Sequence, residues 1–233
     1  MAFFTVKHDA EAIADRQGSG EFLDSMSGVF DVIVKHVVVS QSEKGAISID
    51  LIVDYNGTSQ TIYRAFSITN SNEKGNSVNE IGQRDFNKFL VVMGLDAGKV
   101  LNDPIAIELP IGKKGTTKTC MVLEELSNDT PITINLKQEY SMYNGDIRKR
   151  SSLKGVYRTS DHATAAEIVN QVEPGKQFER DSKFFGKNIY KDGITEEAAK
   201  AWEEAKKNST STSSTPAQTP GSRFGSRFGN QPF

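Results

Sequence analysis

Between Pro131 and Arg158 the sequence writes out a long hairpin, ITINLKQEYSMY, an Asn144-Gly145 turn, then DIRKRSSLKGVYR. Arg148, Arg150, Lys154 and Arg158 fall at even positions of the second arm. Side chains alternate along a strand, so these four cations are expected to form one stripe. With Lys137, Lys149, Tyr140, Tyr143 and Tyr157 close by, the chemistry on offer is capture of a flexible polyanion with exposed bases. Phosphates would meet the cations and unpaired bases would stack on the rings. The competing explanation is an edge hairpin that carries Lys and Arg to repel other strands.

Other chemistry finds little support. His8, His36 and His162 are too scattered to frame a metal site, and His36 lies in a strand of valines, where a structural role is expected. GKKGTTK lacks the Gly-x-x-x-x-Gly-Lys-Ser/Thr spacing of a phosphate loop. No Gly-x-Ser-x-Gly nucleophile motif is present, and Glu124-Glu125 and Glu196-Glu197 read as solvated pairs. The expectation is a binding protein with no catalytic residues, metal or cofactor.

Composition sets the frame for that site. The formal net charge is −2 over 233 residues, so any positive surface must be local. Residues 111 to 158 hold nine Lys/Arg against five Asp/Glu, which places the excess at the hairpin. Cys120 is the only cysteine, which rules out an intrachain disulfide and fits a reducing cytosol. No apolar run is long enough to span a bilayer and no secretory signal opens the chain, so a cytoplasmic protein without membrane association is expected.

The elements that must hold the stripe follow in order. Residues 1–27 read as an N-terminal arm outside the core. GVFDVIVKHVVVS is apolar on both faces, as in a central or strongly coiled strand. AISIDLIVDY alternates strictly, with Ile47, Ile49, Leu51, Val53 and Tyr55 inward and Ser48, Asp50 and Asp54 toward water. Asn56-Gly57 is a two-residue hairpin signal leading into TSQTIYRAFSIT, where Arg64 shares a face with Ile62, Phe66 and Ile68 while Tyr63 points away. Ser77-Val78-Asn79-Glu80 fits a capping box, Phe86, Phe89, Leu90 and Met93 have helical spacing, and Gly94 ends the helix. An extended stretch at 104–109, the IGKKGTTK loop and a strand at TCMVLEEL precede the hairpin.

Three meandering strands, a helix, then two or three more strands is the order of an oligonucleotide-binding barrel. In that fold the helix plugs the base between the third and fourth strands. A β-sandwich with one inserted helix is the structural alternative. The predicted organisation is mainly β: a five-stranded barrel core over 28–158 with an extra hairpin, a helical extension over 159–207, and a disordered Ser/Thr/Pro/Gly tail over 208–233. The residues expected on the binding surface are Tyr63, Arg64, Lys137, Tyr143, Arg148, Lys149, Arg150, Lys154, Tyr157 and Arg158. Core packing is the alternative for each aromatic. In the tail, the tandem SRFG repeat places Arg223-Phe224 and Arg227-Phe228 ahead of Pro232-Phe233, a pattern that could touch nucleic acid, dock in a partner pocket or be plain linker.

Together these parts resemble the single-stranded DNA-binding proteins encoded by tailed bacteriophages, in barrel core, extension, flexible tail and terminal aromatic. The resemblance implies a protein that coats and protects single strands exposed in DNA replication, recombination or repair, removes hairpins and does not read sequence. Bacterial cousins end in a run of acids before Ile-Pro-Phe, and that tip recruits replication and repair enzymes. Here Asn230-Gln231-Pro232-Phe233 keeps the Pro-Phe ending without the acids, and Arg223 and Arg227 make the tail basic. Recruitment of replication or recombination proteins by this tail therefore departs from the usual acidic route. The rival readings are a virion structural or assembly protein and a recombination mediator acting through protein partners. Self-association is left open, and the setting implied is a host cytoplasm.

Overall fold

β-branched and apolar runs in the first third of the chain, split by short turns, form a three-strand meander: β1 (Gly28–Gln41), β2 (Ile47–Tyr55) and β3 (Thr58–Ser67). The computed structural model describes residues 22–72, 75–111 and 116–211. Asn56 and Gly57 join β2 to β3 with φ of 51° and 74°, the left-handed pair that a tight hairpin demands, and the Asp54 carboxylate accepts from the Gly57 amide at 2.8 Å. β1 is long enough to serve three neighbours. Its first half pairs with β8 (Thr130–Tyr143), its second half with β2, and Val38–Val39 with β7 (Thr117–Val122). A bulge between Val34 and His36 bends it to do so.

The main sheet runs β9 (Asp146–Arg158), β8, β1, β2, β3, with β7 and β6 (Ile105–Pro110) attached beside β1. It is open: among the described residues no ladder joins its ends, β3 and β9. A small separate hairpin, β4 (Thr69–Asn72) with β5 (Gly75–Val78), leads into helix α1 (Glu80–Val92). Among the described residues no helix is long and apolar enough to cross a membrane.

The principal core lies on one face of the meander and is closed by α1, which brings Phe89 against Phe66 at 5.3 Å and stacks Phe86 on Phe89 at 5.9 Å. Gly82 is needed where α1 meets the sheet, since a Cβ there would stand 1.7 Å from the Ser67 carbonyl oxygen. The helix is capped by Asn79, whose side chain accepts from the Gly82 amide at 3.1 Å; Ser77, the expected cap, belongs to β5. Gly94, at φ 85°, ends it as expected.

Two further expectations need correction. Leu23 is fully buried and its amide donates to Gln60 Oε1 at 2.7 Å, so the core begins at Leu23 and the supposed arm reaches into it. Ile52, on the face of β2 assigned to water, is buried with Val38, Leu109, Cys120 and Val122 in a second cluster beneath β6 and β7.

After Arg158 the chain forms α2 (Ala165–Asn170), α3 (Lys176–Ser182) and the short strand β10 (Ile189–Tyr190), which pairs parallel to β8 at Glu139 and Tyr140. The extension is therefore not purely helical, and residues up to Gly193 belong to the same compact unit as the sheet. Buried Glu167 organises its start, accepting from the Thr164, Gly175 and Gln177 amides. Burial works against its charged form, but these hydrogen bonds outweigh it and hold its carboxyl below the usual range. The second unit holds α4 (Glu196–Ser211), which carries helix through Asn208 to Ser211, where tail was expected. Arg223, Phe224, Arg227, Phe228, Pro232 and Phe233 lie outside the described residues.

Candidate nucleic-acid interface

The edges of β3 and β9, which pair with no further strand among the described residues, bound a groove of about 550 Å³. One wall carries Tyr63 and Arg64, the other Lys149, Arg150 and Lys154, and the floor is closed by Phe66, Leu153 and the start of α1 at Asn79 and Gly82. Five of the ten binding-surface residues expected from the sequence thus line one groove, although β3 and β9 are far apart in the chain. Tyr63 is 60% exposed, a large ring held at the rim. The groove continues past it into a wider depression over β2, lined by Ser40, Lys44, Ser48 and Asp50.

Tyr63 and Arg64 reach the rim through an irregularity that alternation did not show. Ile62 stands opposite Leu51 and Phe66 opposite Ile49, so residues 63 to 65 face the single residue Asp50. Arg64 takes φ of 51° and its amide donates to the Asp50 carboxylate at 2.7 Å. The bulge rotates Arg64 away from Ile62 and Phe66, whose face it was expected to share, and leaves its side chain in solvent. Among the described residues no carboxylate pairs with the Arg64 guanidinium.

The cation stripe on β9 is also redrawn by a bulge. Leu153 pairs with Leu136 and Gly155 with Asn135, which leaves Lys154 as an extra residue. Arg148, Arg150 and Lys154 keep one face, but beyond the bulge the parity reverses. Arg158 falls opposite Ile132 on the other face and closes a two-pronged ion pair with Asp161, at 2.6 and 2.9 Å. It does not belong to the stripe.

Arg150 and Lys154 converge on Glu139, which is 1% exposed, with contacts of 2.6 and 3.3 Å; Lys191, just past β10, adds a third at 2.5 Å. Burial alone would raise the Glu139 carboxyl. Hydrogen bonds from Lys191 and Arg150 and the charges of Arg150 and Lys154 overcome that penalty and hold it at about 2. Three cations around one carboxylate leave a net positive surface, while the carboxylate fixes β9 and the segment after β10 onto β8.

The remaining expected residues scatter. Tyr143, 51% exposed, lies at the hairpin tip under Arg148, whose guanidinium carbon stands 3.5 Å from the ring centre. Lys137 sits on the outer face of β8, its ammonium 5.8 Å from the ring of Phe184. Tyr157 is no stacking platform: it is 2% exposed, touches Phe178 edge-on at 5.0 Å, and its hydroxyl donates to Asp181 at 2.7 Å. Burial first, then Asp181, pushes that phenol far above its ordinary value. The extension, packed over the outer face of β9, buries it.

The sequence reading anticipated neither Glu139 and Lys191 nor the contacts of Phe184 with Lys137 and Lys187, whose ammonium groups lie 5.8 and 5.5 Å from its ring centre. Glu139 was legible: counting back from the Asn144-Gly145 turn pairs Tyr143 with Asp146, Ser141 with Arg148, and Glu139 with Arg150. The others depend on where the extension returns to the sheet, for which the sequence carries no local signal. His36, expected to be structural, is half-buried, and burial lowers its imidazole from the ordinary value. Among the described residues no group of three His, Cys, Asp or Glu side chains is placed to hold a metal ion. No family model matches the chain, and a search of curated proteins finds no match to its sequence.

Proposed function

We propose that this chain binds single-stranded DNA along the groove between β3 and β9, and so coats and protects strands exposed during replication, recombination or repair. The observation that carries the reading is the convergence of an exposed ring, Tyr63, with Arg64, Lys149, Arg150 and Lys154 on one open groove. A groove of this kind offers stacking at a rate of roughly 1–3 kcal/mol per base and a cationic track for the phosphates. Stacking on a flat ring and charge pairing with phosphates are both indifferent to base sequence.

The connectivity supports the same reading. A β1-β2-β3 meander, a helix, then β8 returning beside β1 and β9 closing toward β3 is the order of a partly open oligonucleotide-binding barrel. In that fold the second and third strands and two loops, one after the first strand and one between the last two, take the nucleic acid. The corresponding places here are the depression over β2 and β3 with Lys44 at its end, and the Asn144-Gly145 tip with Tyr143 and Arg148. No cofactor or catalytic step is part of this proposal, and the compartment proposed is a host cytoplasm.

The test is a titration of the full chain against labelled oligo-dT and the matching duplex at two salt concentrations, followed by anisotropy. Tight, salt-sensitive binding to the single strand with little to the duplex is expected. Binding to neither would overturn the reading and favour an assembly role.

A further inference from the structure

On the outer face of the β8–β9 hairpin, away from the groove, another exposed ring stands among cations. Phe184 is 56% exposed, and the ammonium groups of Lys137 and Lys187 lie 5.8 and 5.5 Å from its centre. Local geometry presents it outward. After α3 the Phe184 amide donates to the Asp181 carbonyl at 2.8 Å and that of Phe185 to Ser182 at 3.2 Å, while Phe185 turns inward against Phe178 at 5.1 Å. One phenylalanine anchors the turn and its neighbour is left in water.

A single exposed ring needs no explanation. The charge around this one does. From Lys183 to Lys191 the chain carries three lysines and no carboxylate, and among the described residues no acid pairs with Lys137 or Lys187. Lys137 stands opposite Ser152, two residues along the strands from the Glu139–Arg150 pair, a step of about 7 Å. Arg150 and Lys154 belong both to that face, through Glu139, and to the wall of the groove. Cations therefore stand at intervals from the groove, over the β9 edge and past the buried Glu139, to Phe184.

We propose that the path of the single strand does not end in the groove but crosses the β9 edge onto this outer face, where Phe184, flanked by Lys137 and Lys187, stacks a further base. The proposal rests on the groove being the primary site. Charge complementarity selects a polyanion as the occupant; an aromatic-seeking protein partner would find Lys137 and Lys187 at the ring, with no acid paired to either among the described residues.

The experiment compares a short oligo-dT of about 6 nucleotides, enough for the groove alone, with one of about 20, which exceeds the span of roughly 4–16 nucleotides taken by one such fold. For Phe184→Ala/Lys187→Glu, affinity for the long strand is expected to fall about tenfold with a shallower salt slope, while affinity for the short strand holds. Lys187→Glu alone, which disturbs no packed side chain, is expected to move the long strand the same way by less. Unchanged affinity of both variants for the long strand, with the parent binding well, would overturn this inference and leave the groove intact. An equal loss on both strands would also overturn it, by making Phe184 part of the short site. A parent that binds neither strand would overturn the functional reading itself.

Discussion

Two groups of cations meet at the rim of the β3–β9 groove, and they are held in opposite ways. On β9, Arg150 and Lys154 share the buried Glu139 with Lys191, and their geometry is set by that carboxylate. On β3, Arg64 stands on a bulge with its side chain in solvent and no acidic partner among the described residues. The difference teaches that strand-borne Lys and Arg of equal appearance can be structural supports or open ligand contacts. What separates them is whether the neighbouring strand's carboxylate takes the side chain, as Glu139 does, or only the backbone amide, as Asp50 does. The β9 cations shape the groove wall; Tyr63 and Arg64 are the contacts left open for a ligand.

Breaking the supported group gives the largest effect. Glu139→Ala is expected to lower stability by about 2 kcal/mol at about pH 7 in urea denaturation, since it unties β8 from β9 and from the segment after β10 while the three cations it leaves remain in reach of water. The pH sign is defined. The folded carboxyl sits at about 2, below its ordinary value of 4.5, so its contribution is complete above the ordinary value and is lost as pH falls toward 2. Parent and Glu139→Gln should differ most at neutral pH and converge in acid. A constant difference from pH 7 to pH 2 would contradict the ion-pair account.

Tyr157 and Tyr63 sharpen the same contrast between packed and open groups. Tyr157→Phe removes a buried donor and leaves Asp181 without it, which is expected to cost about 1–2 kcal/mol of stability while oligo-dT affinity holds. Tyr63→Ala should do the reverse: a thermal midpoint close to the parent's and an affinity loss of about fivefold to tenfold in anisotropy titration. Arg158→Ala should do least. Its own side chain is exposed and Asp161 is only half-buried, so a stability change within about 0.5 kcal/mol and unaltered affinity are expected.

Much of the scaffold was legible because alternation over β2 and β8, the Asn-Gly turns and the helical spacing of Phe86, Phe89 and Met93 are local signals. The site was legible only in part. Arg64 and Arg158 were assigned to faces by parity, and each is displaced by a bulge whose extra residues are fixed by pairing with another strand. Tyr157 was placed on the surface because nothing near it in sequence announces that Phe178 and Phe185 fold back over it. Leu23 was assigned to an arm because its partner, Gln60, lies two strands away. Local pattern carries strands and turns; bulges and the coverage of an outer face are decided by tertiary partners.

Charge reversal at Arg150 or Lys154 would bring a second acid to Glu139 and confound folding with binding. The direct measurement therefore uses the other cations. Oligo-dT affinity would be followed across a salt series for the parent and for Arg64→Glu/Lys149→Glu, with the thermal midpoint of each recorded. A loss of more than about tenfold at low salt, with a shallower salt slope and an unchanged midpoint, is the predicted result. Equal affinity and equal slope in a folded variant would contradict the claim that the β3–β9 groove holds the strand.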